Sequence, residues 1–183
     1  MKNIYILLSR TGTIPSKTIH AIKGGDYTHS SITLTPQTEE MYSFARRKIN
    51  NFFKCGFVIE NIHAQVFAQY PDCACAVYAI AISDIAYEKI QAKITEFKKN
   101  YDKAKYNFLG LFLLAFNIPL TRKWHYTCSQ FVATLLELTE EIKLPKRPCL
   151  MLPCDFMNIK EARLIYRDKL CNCKIPSMAC ENL

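Results

Sequence analysis

Residues 124–132 read Trp-His-Tyr-Thr-Cys-Ser-Gln-Phe-Val. Thr127 followed three residues later by Gln130 is the pattern of a capping box, in which the hydroxyl accepts the Gln130 amide and the Gln130 side chain reaches back. Thr127 is then the N-cap and Cys128 the first helical residue, with Phe131, Val132, Leu135 and Leu136 burying the helix behind it. A cysteine at a helix start meets unpaired amides and the positive end of the macrodipole. Both favour thiolate over thiol, and the same amides can receive a developing oxyanion. One position would supply an activated nucleophile and part of its oxyanion hole, with Thr127 and Ser129 as the flanking substrate-contacting candidates. The same spacing also suits a buried structural cysteine in a first turn.

A nucleophilic cysteine needs a base within hydrogen-bond reach. The chain has four histidines. His20 falls on an expected helix, and His63 sits in Asn-Ile-His-Ala-Gln with no evident partner. His125, three residues before Cys128, lacks an orienting neighbour. His29 opens an expected strand directly after Gly24-Gly25-Asp26-Tyr27-Thr28. A base on a strand can be held rigidly beside a helix start that packs on the same sheet.

The elements that must position this pair follow from periodicity. Strands are expected over 4–9, 27–34, 40–46, about 57–67 and 75–82. A short helix is expected over 16–23, stopped by Gly24-Gly25. Ser83-Asp84 opens a long helix with Ile85, Ile90, Ile94 and Phe97 at helical spacing. The apolar stretch Phe108–Leu120 reads as buried core, Thr127–Leu138 as a second strong helix, 155–164 as a short helix and 165–167 as a last extended piece. Strands first and helices later predict an α+β fold with helices packed on an antiparallel sheet.

Composition sets outer limits. The chain has 183 residues, half of them hydrophobic, enough for one domain with a core. The expected domain is 1–170, followed by a polar cysteine-bearing tail, 171–183. Net charge is +8, but the lysines and arginines are spread without a run of five. No nucleic-acid partner is therefore expected. No export signal or membrane-length apolar run is read, so the expected compartment is the cytoplasm and the nine cysteines are expected to be reduced. Cys73-x-Cys75 and Cys171-x-Cys173 lack zinc-knuckle spacing, so no metal and no cofactor is expected.

Three segments in order, Tyr27-Thr28-His29-Ser30-Ser31-Ile32, Glu40-Met41-Tyr42-Ser43-Phe44 and Thr127-Cys128-Ser129-Gln130-Phe131-Val132, resemble the permuted branch of the papain-like NlpC/P60 superfamily. The YiiX/YebB-like bacterial proteins and lecithin–retinol acyltransferase belong to that branch. In it the histidine strand precedes the cysteine helix, as here. The resemblance implies a circularly permuted papain-like fold with a barrel-like sheet and a Cys-His pair completed by a polar residue on the strand after the histidine strand. Glu40 is a carboxylate, but with a turn over 35–38 it falls opposite Thr33, roughly 13 Å along the strand from His29. Ser43 is therefore the favoured third residue, with Glu40 the alternative. Tyr27, on His29's strand face, is either an oxyanion donor or a core tyrosine.

The implied activity is that of a cysteine hydrolase, an amidase or peptidase. Its expected substrate is a small peptide, amino-acid or acyl conjugate, cleaved through an acyl-enzyme. The alternatives are a lipid acyltransferase or acyl hydrolase acting at a membrane surface, and a non-catalytic binding module. Exposure of Leu111, Phe112 and Phe116 would favour the lipid alternative.

Overall fold

The structure is a computed structural model and describes residues 1–10, 25–36, 38–48, 54–64 and 67–175. The helix expected over 16–23, with His20, lies outside these residues, as does Cys180. Eight strands form one sheet: β1 (Lys2–Ser9), β2 (His29–Thr33), β3 (Met41–Arg46), β4 (Cys55–Glu60), β5 (Ala74–Ile82), β6 (Lys105–Tyr106), β7 (His125–Tyr126) and β8 (Arg163–Lys169). Their order is β7-β6-β4-β3-β2-β1-β5-β8. All neighbours are antiparallel except β6 and β7. The sheet is open, with β7 and β8 at its edges, rather than the barrel-like one expected. Three α-helices are described, α1 (Asp84–Lys99), α2 (Phe108–Ala115) and α3 (Cys128–Glu137).

β1 and β5 read as nearly continuous apolar runs because both faces of the sheet's centre are covered. Ile4, Ile6 and Leu8 of β1, with Ala76, Tyr78, Ile80 and Ile82 of β5, join α1 and α3 in the main core. Tyr5, Leu7, Cys75, Val77 and Ala79 point the other way, into a smaller cluster closed by Met41, Phe67, Leu170 and Cys173. Cys173 is thereby buried, although its segment reads as a polar tail. α3 is buried nearly all round. Its Phe131 ring lies 5.2 Å from both Phe44 and Phe97 and 5.7 Å from Phe57, an aromatic knot tying the helix to β3, β4 and α1.

Three expectations change. The fourth strand ends at Glu60, and the chain then turns before a short 3-10 turn at Phe67–Gln69. The piece expected as a helix over 155–164 is a 3-10 segment, Pro153–Asn158, which opens on a proline that has no amide to donate. The Phe108–Leu120 stretch is buried on one side only. Gly110, Leu111 and Leu114 face the core, while Phe112 and Phe116 are about 60% exposed.

One glycine fixes the route toward α2. Gly56 of β4 pairs with Lys105 of β6, and a Cβ there would lie 2.2 Å from the Ala104 carbonyl oxygen. Arg47 clamps the same corner: its guanidinium donates to the carbonyls of Ala104 (2.6 Å), Phe57 (3.3 Å) and Tyr101, and stacks over the Tyr101 ring. Gly56→Ala must push β6 outward, because the nearest obstacle is the Ala104 backbone carbonyl, with the Arg47 guanidinium beside it. The expected loss is about 1–3 kcal/mol, read as a lower urea midpoint with an unchanged slope.

Candidate active site

β2 delivers the histidine. His29 is its first residue and pairs with Ser9, the last of β1, so the imidazole stands at the end of both strands. β2 pairs with β3 at Ile32↔Tyr42, with no further pairing toward His29. The backbone of Ser30 is thus released from the β3 ladder. Its carbonyl accepts the Ser43 hydroxyl at 2.7 Å, and its amide serves the Cys128 sulfur.

α3 delivers the cysteine. Thr127 is the N-cap, its hydroxyl accepting the Gln130 amide at 3.1 Å, and Cys128 is the first helical residue. The reciprocal arm of the capping box is absent: the Gln130 side-chain oxygen instead accepts from the Asn107 amide group at 3.4 Å. Asn107 is itself the N-cap of α2, accepting the Gly110 amide at 3.0 Å. β6 and β7 run parallel, and the Asn107 amide donates to the Tyr126 carbonyl at 3.0 Å. Two helices therefore start side by side from adjacent strand ends.

The thiol lies beside the imidazole, and each favours the charged form of the other. On its other side His29 Nε2 lies 3.1 and 3.0 Å from the two carboxylate oxygens of Glu60, the last residue of β4. This leaves Nδ1 for the sulfur. Ser31, two residues along β2, donates to Glu60 Oε2 at 2.5 Å and sits 3.2 Å from His29 Nε2. The Phe67 ring, 6.0 Å from the imidazole, closes that face. Cys128, His29 and Glu60 are respectively 1%, 9% and 6% exposed, so their charges act on one another with little screening by water.

Burial is the largest single influence on each member of the pair, and it opposes charge on both. Glu60's charge, and the imidazole's interactions with Cys128 and Glu60, outweigh it at His29, pushing the imidazole up to about 10. At Cys128 the His29 hydrogen bond and charge, with the Ser30 and Ser129 amides, outweigh burial and leave the thiol below its ordinary value. A thiolate–imidazolium pair thus exists from the lowered thiol value up to about pH 10.

The structure brings Cys128 and His29 together and commits the side chains of the other candidates elsewhere. Ser43 is not on the imidazole; its hydroxyl is committed to Ser30. The register explains this: extending Ile32↔Tyr42 puts Ser43 opposite Ser31 and Ala45 opposite His29. Glu40 accepts from the Tyr42 hydroxyl at 2.6 Å and the Lys98 ammonium at 2.7 Å on the surface. Tyr27 is a core tyrosine, and burial pushes its hydroxyl pKa up. The Thr127 hydroxyl is used by the cap. The Ser129 hydroxyl donates to the Met151 carbonyl at 2.6 Å, so Ser129 serves the sulfur through its amide. His63 and the His125 ring lie at the surface.

Glu60 is the residue that strand-by-strand reasoning missed. Its signal is a carboxylate ending the apolar run Gly-Phe-Val-Ile-Glu, one strand beyond the one searched. Tyr106 is the second. Its hydroxyl is buried without a hydrogen-bond partner among the described residues. Burial first, then the charges of Cys128 and Cys55, push its pKa well up. Two further buried hydroxyls without partners among the described residues, Ser9 and Ser30, stand opposite His29 and next to it.

The pair's pH dependence follows by sign. A raised histidine contributes stability in full below its unfolded pKa of about 6.5 and loses it as pH rises through about 10. The lowered thiol contributes above its unfolded value, and loses that as pH falls through its folded one. Thiolate absorption of wild type, corrected with Cys128→Ser, is expected to persist below the pH at which an ordinary thiol loses it. Glu60→Gln moves its onset up by about one unit or more, toward about pH 8.5, whereas Ser43→Ala and Glu40→Gln leave it in place.

No family model matches the chain, and no curated protein or solved structure matches it either.

Proposed function

We propose that this protein is a cysteine-dependent acyl-transfer enzyme of the permuted papain-like kind, an amidase or peptidase acting on a small peptide, amino-acid or acyl conjugate. The observation that carries this reading is the buried imidazole held between a thiol at a helix start and a carboxylate. A binding module has no need of that arrangement. The order of elements, histidine strand before cysteine helix, fits the resemblance noted in the sequence. A reducing compartment such as the cytoplasm suits it, because Cys128 must stay a thiol.

The chemistry runs in two halves. The Cys128 sulfur attacks the substrate carbonyl carbon, and the carbonyl π pair moves onto oxygen. The amides at the α3 start and the Tyr106 hydroxyl receive that oxyanion. As the tetrahedral species collapses, the C–N bond breaks and the leaving amine takes the proton from His29. Neutral His29 then removes a proton from water, which attacks the thioester, and the thiolate leaves as its C–S bond breaks. Glu60 touches no reacting atom; it orients the ring and stabilises the imidazolium, and so is a positioning residue.

A second reading has an observation of its own. Phe112 and Phe116 are exposed, as a lipid-directed acyl hydrolase or acyltransferase would have them, although Leu111 is buried. The chemistry at Cys128 is the same for both readings.

The test is mass-spectrometric trapping of an acyl adduct on Cys128 with activated esters and a panel of N-acyl and aminoacyl amides. An adduct is expected in wild type and none in Cys128→Ala; an unmodified Cys128 across the panel, in protein whose thiol titrates low, would sink the reading. Tyr106→Phe is expected to lower kcat about a hundredfold with KM nearly unchanged, the signature of a lost oxyanion donor.

A further inference from the structure

α2 and the loop after it present an apolar face to solvent. Phe108, Leu109, Phe112, Phe116 and Ile118 are 45%, 52%, 60%, 63% and 48% exposed. Leu109, Phe112 and the C-cap Phe116 follow Phe108 by one, four and eight residues, on the side opposite Gly110, Leu111 and Leu114. Asn117, at φ 58°, ends the helix in the left-handed conformation, and the Ile118 amide donates back to the Leu113 carbonyl at 3.1 Å. That turn returns Ile118 to the helix it follows. The Phe112 and Phe116 rings pack on each other at 5.4 Å.

The charged residues between 103 and 123 that flank this face are all basic. Lys103 and Lys105 precede α2, and Arg122 and Lys123 follow its loop; all four are exposed, and none forms an ion pair among the described residues. Between Lys103 and Trp124 the chain carries no Asp or Glu. The β6–β7 pairing brings the two basic groups together, Lys105 opposite His125 and Arg122 bridged to it. Among the described residues no helix is long and apolar enough to cross a membrane. An apolar helical face with a basic rim is instead the construction that lies in the plane of a bilayer interface.

We propose that the α2 face docks this protein on an anionic lipid bilayer, with the aromatic side chains entering the headgroup–acyl boundary and Lys103, Lys105, Arg122 and Lys123 against anionic headgroups. A second copy of the chain fits less well, because a twofold contact through this face sets the two basic rims against each other. The docking does not rest on Cys128 being a nucleophile. It deepens the proposed function in one respect, since α2 and α3 start side by side and a docked bilayer lies beside the helix that carries Cys128.

The test is co-sedimentation with vesicles of phosphatidylglycerol and phosphatidylcholine against phosphatidylcholine alone, using full-length wild type and Cys128→Ala. Both proteins are expected to bind the anionic vesicles, more weakly at high salt, and to favour them over the neutral ones. Phe112→Ser/Phe116→Ser should lower the partition coefficient at least about tenfold with an unchanged unfolding midpoint. Should that double variant fold poorly, Lys105→Gln/Arg122→Gln/Lys123→Gln tests the rim instead and should remove the preference for anionic vesicles. Failure of wild type to bind either vesicle overturns the proposal, as does binding that the variants leave unchanged. So does a concentration-dependent dimer lost on Phe112→Ser/Phe116→Ser without vesicle binding. Equal binding by wild type and Cys128→Ala, whatever the acyl-trapping result, separates this outcome from that of the catalytic reading.

Discussion

A buried imidazole held between a buried carboxylate and a buried thiol is the interaction on which the rest of the site depends. His29, Cys128 and Glu60 are each nearly sealed from water, and an uncompensated charge in such a place costs several kcal/mol. The imidazolium can exist there only because a carboxylate and a thiolate both face it. The two anions need donors of their own, and the fold provides them. Ser31 donates to Glu60, while the amides of Ser30 and Ser129 serve the sulfur. Each donor comes from a segment next to a member of the triad, so the polar network is compact and is set by local backbone geometry.

That need shapes the surrounding architecture. A full β2–β3 ladder would engage the Ser30 amide, and the pairing goes no further toward His29 than Ile32↔Tyr42. The parting also explains why the favoured third residue misses the ring: Ser43 is spent on the carbonyl the ladder leaves behind. Glu60 reaches His29 from one strand further away, with the smaller apolar cluster and Phe67 keeping water off that face. On the other face, the Phe131 knot fixes the depth of α3, and Gly56 with Arg47 fixes where β6 runs and hence where Tyr106 and Asn107 stand.

Much of this was legible from the residues. The N-cap at Thr127, the place of Cys128 as first helical residue and the strand bearing His29 all rest on short-range rules, and short-range rules are what a single sequence carries. Glu40 was set aside on strand length alone, and its surface pairing with Lys98 agrees. Glu60 was not legible, because its approach depends on the stagger of three strands, a tertiary property that no local pattern encodes. Gln130 marks the same limit in smaller form: its spacing matches a capping box, but a neighbouring helix start, 23 residues away in sequence, takes its side chain. The apolar run 108–120 misled for the opposite reason. Hydrophobicity alone reads as core, and only the contacts of α2 reveal which side of it is buried.

The stretch from β6 through α2 holds two kinds of unsatisfied group. Inward, the Tyr106 hydroxyl is buried with no partner among the described residues, a state that costs about 1–3 kcal/mol. Outward, Phe108, Leu109, Phe112 and Phe116 leave apolar surface in water, forgoing part of the roughly 1.5–3 kcal/mol that full burial of each would contribute. Neither feature is needed to build the sheet or the main core, and they adjoin along the chain. A polar ligand would answer only the first and a hydrocarbon surface only the second. Under the two proposals above, an acyl amphiphile would answer both, its carbonyl meeting the hydroxyl and amides around Cys128 and the bilayer it comes from covering α2. The two deficits are therefore consistent with one class of partner for the proposed acyl-transfer site and the exposed helix.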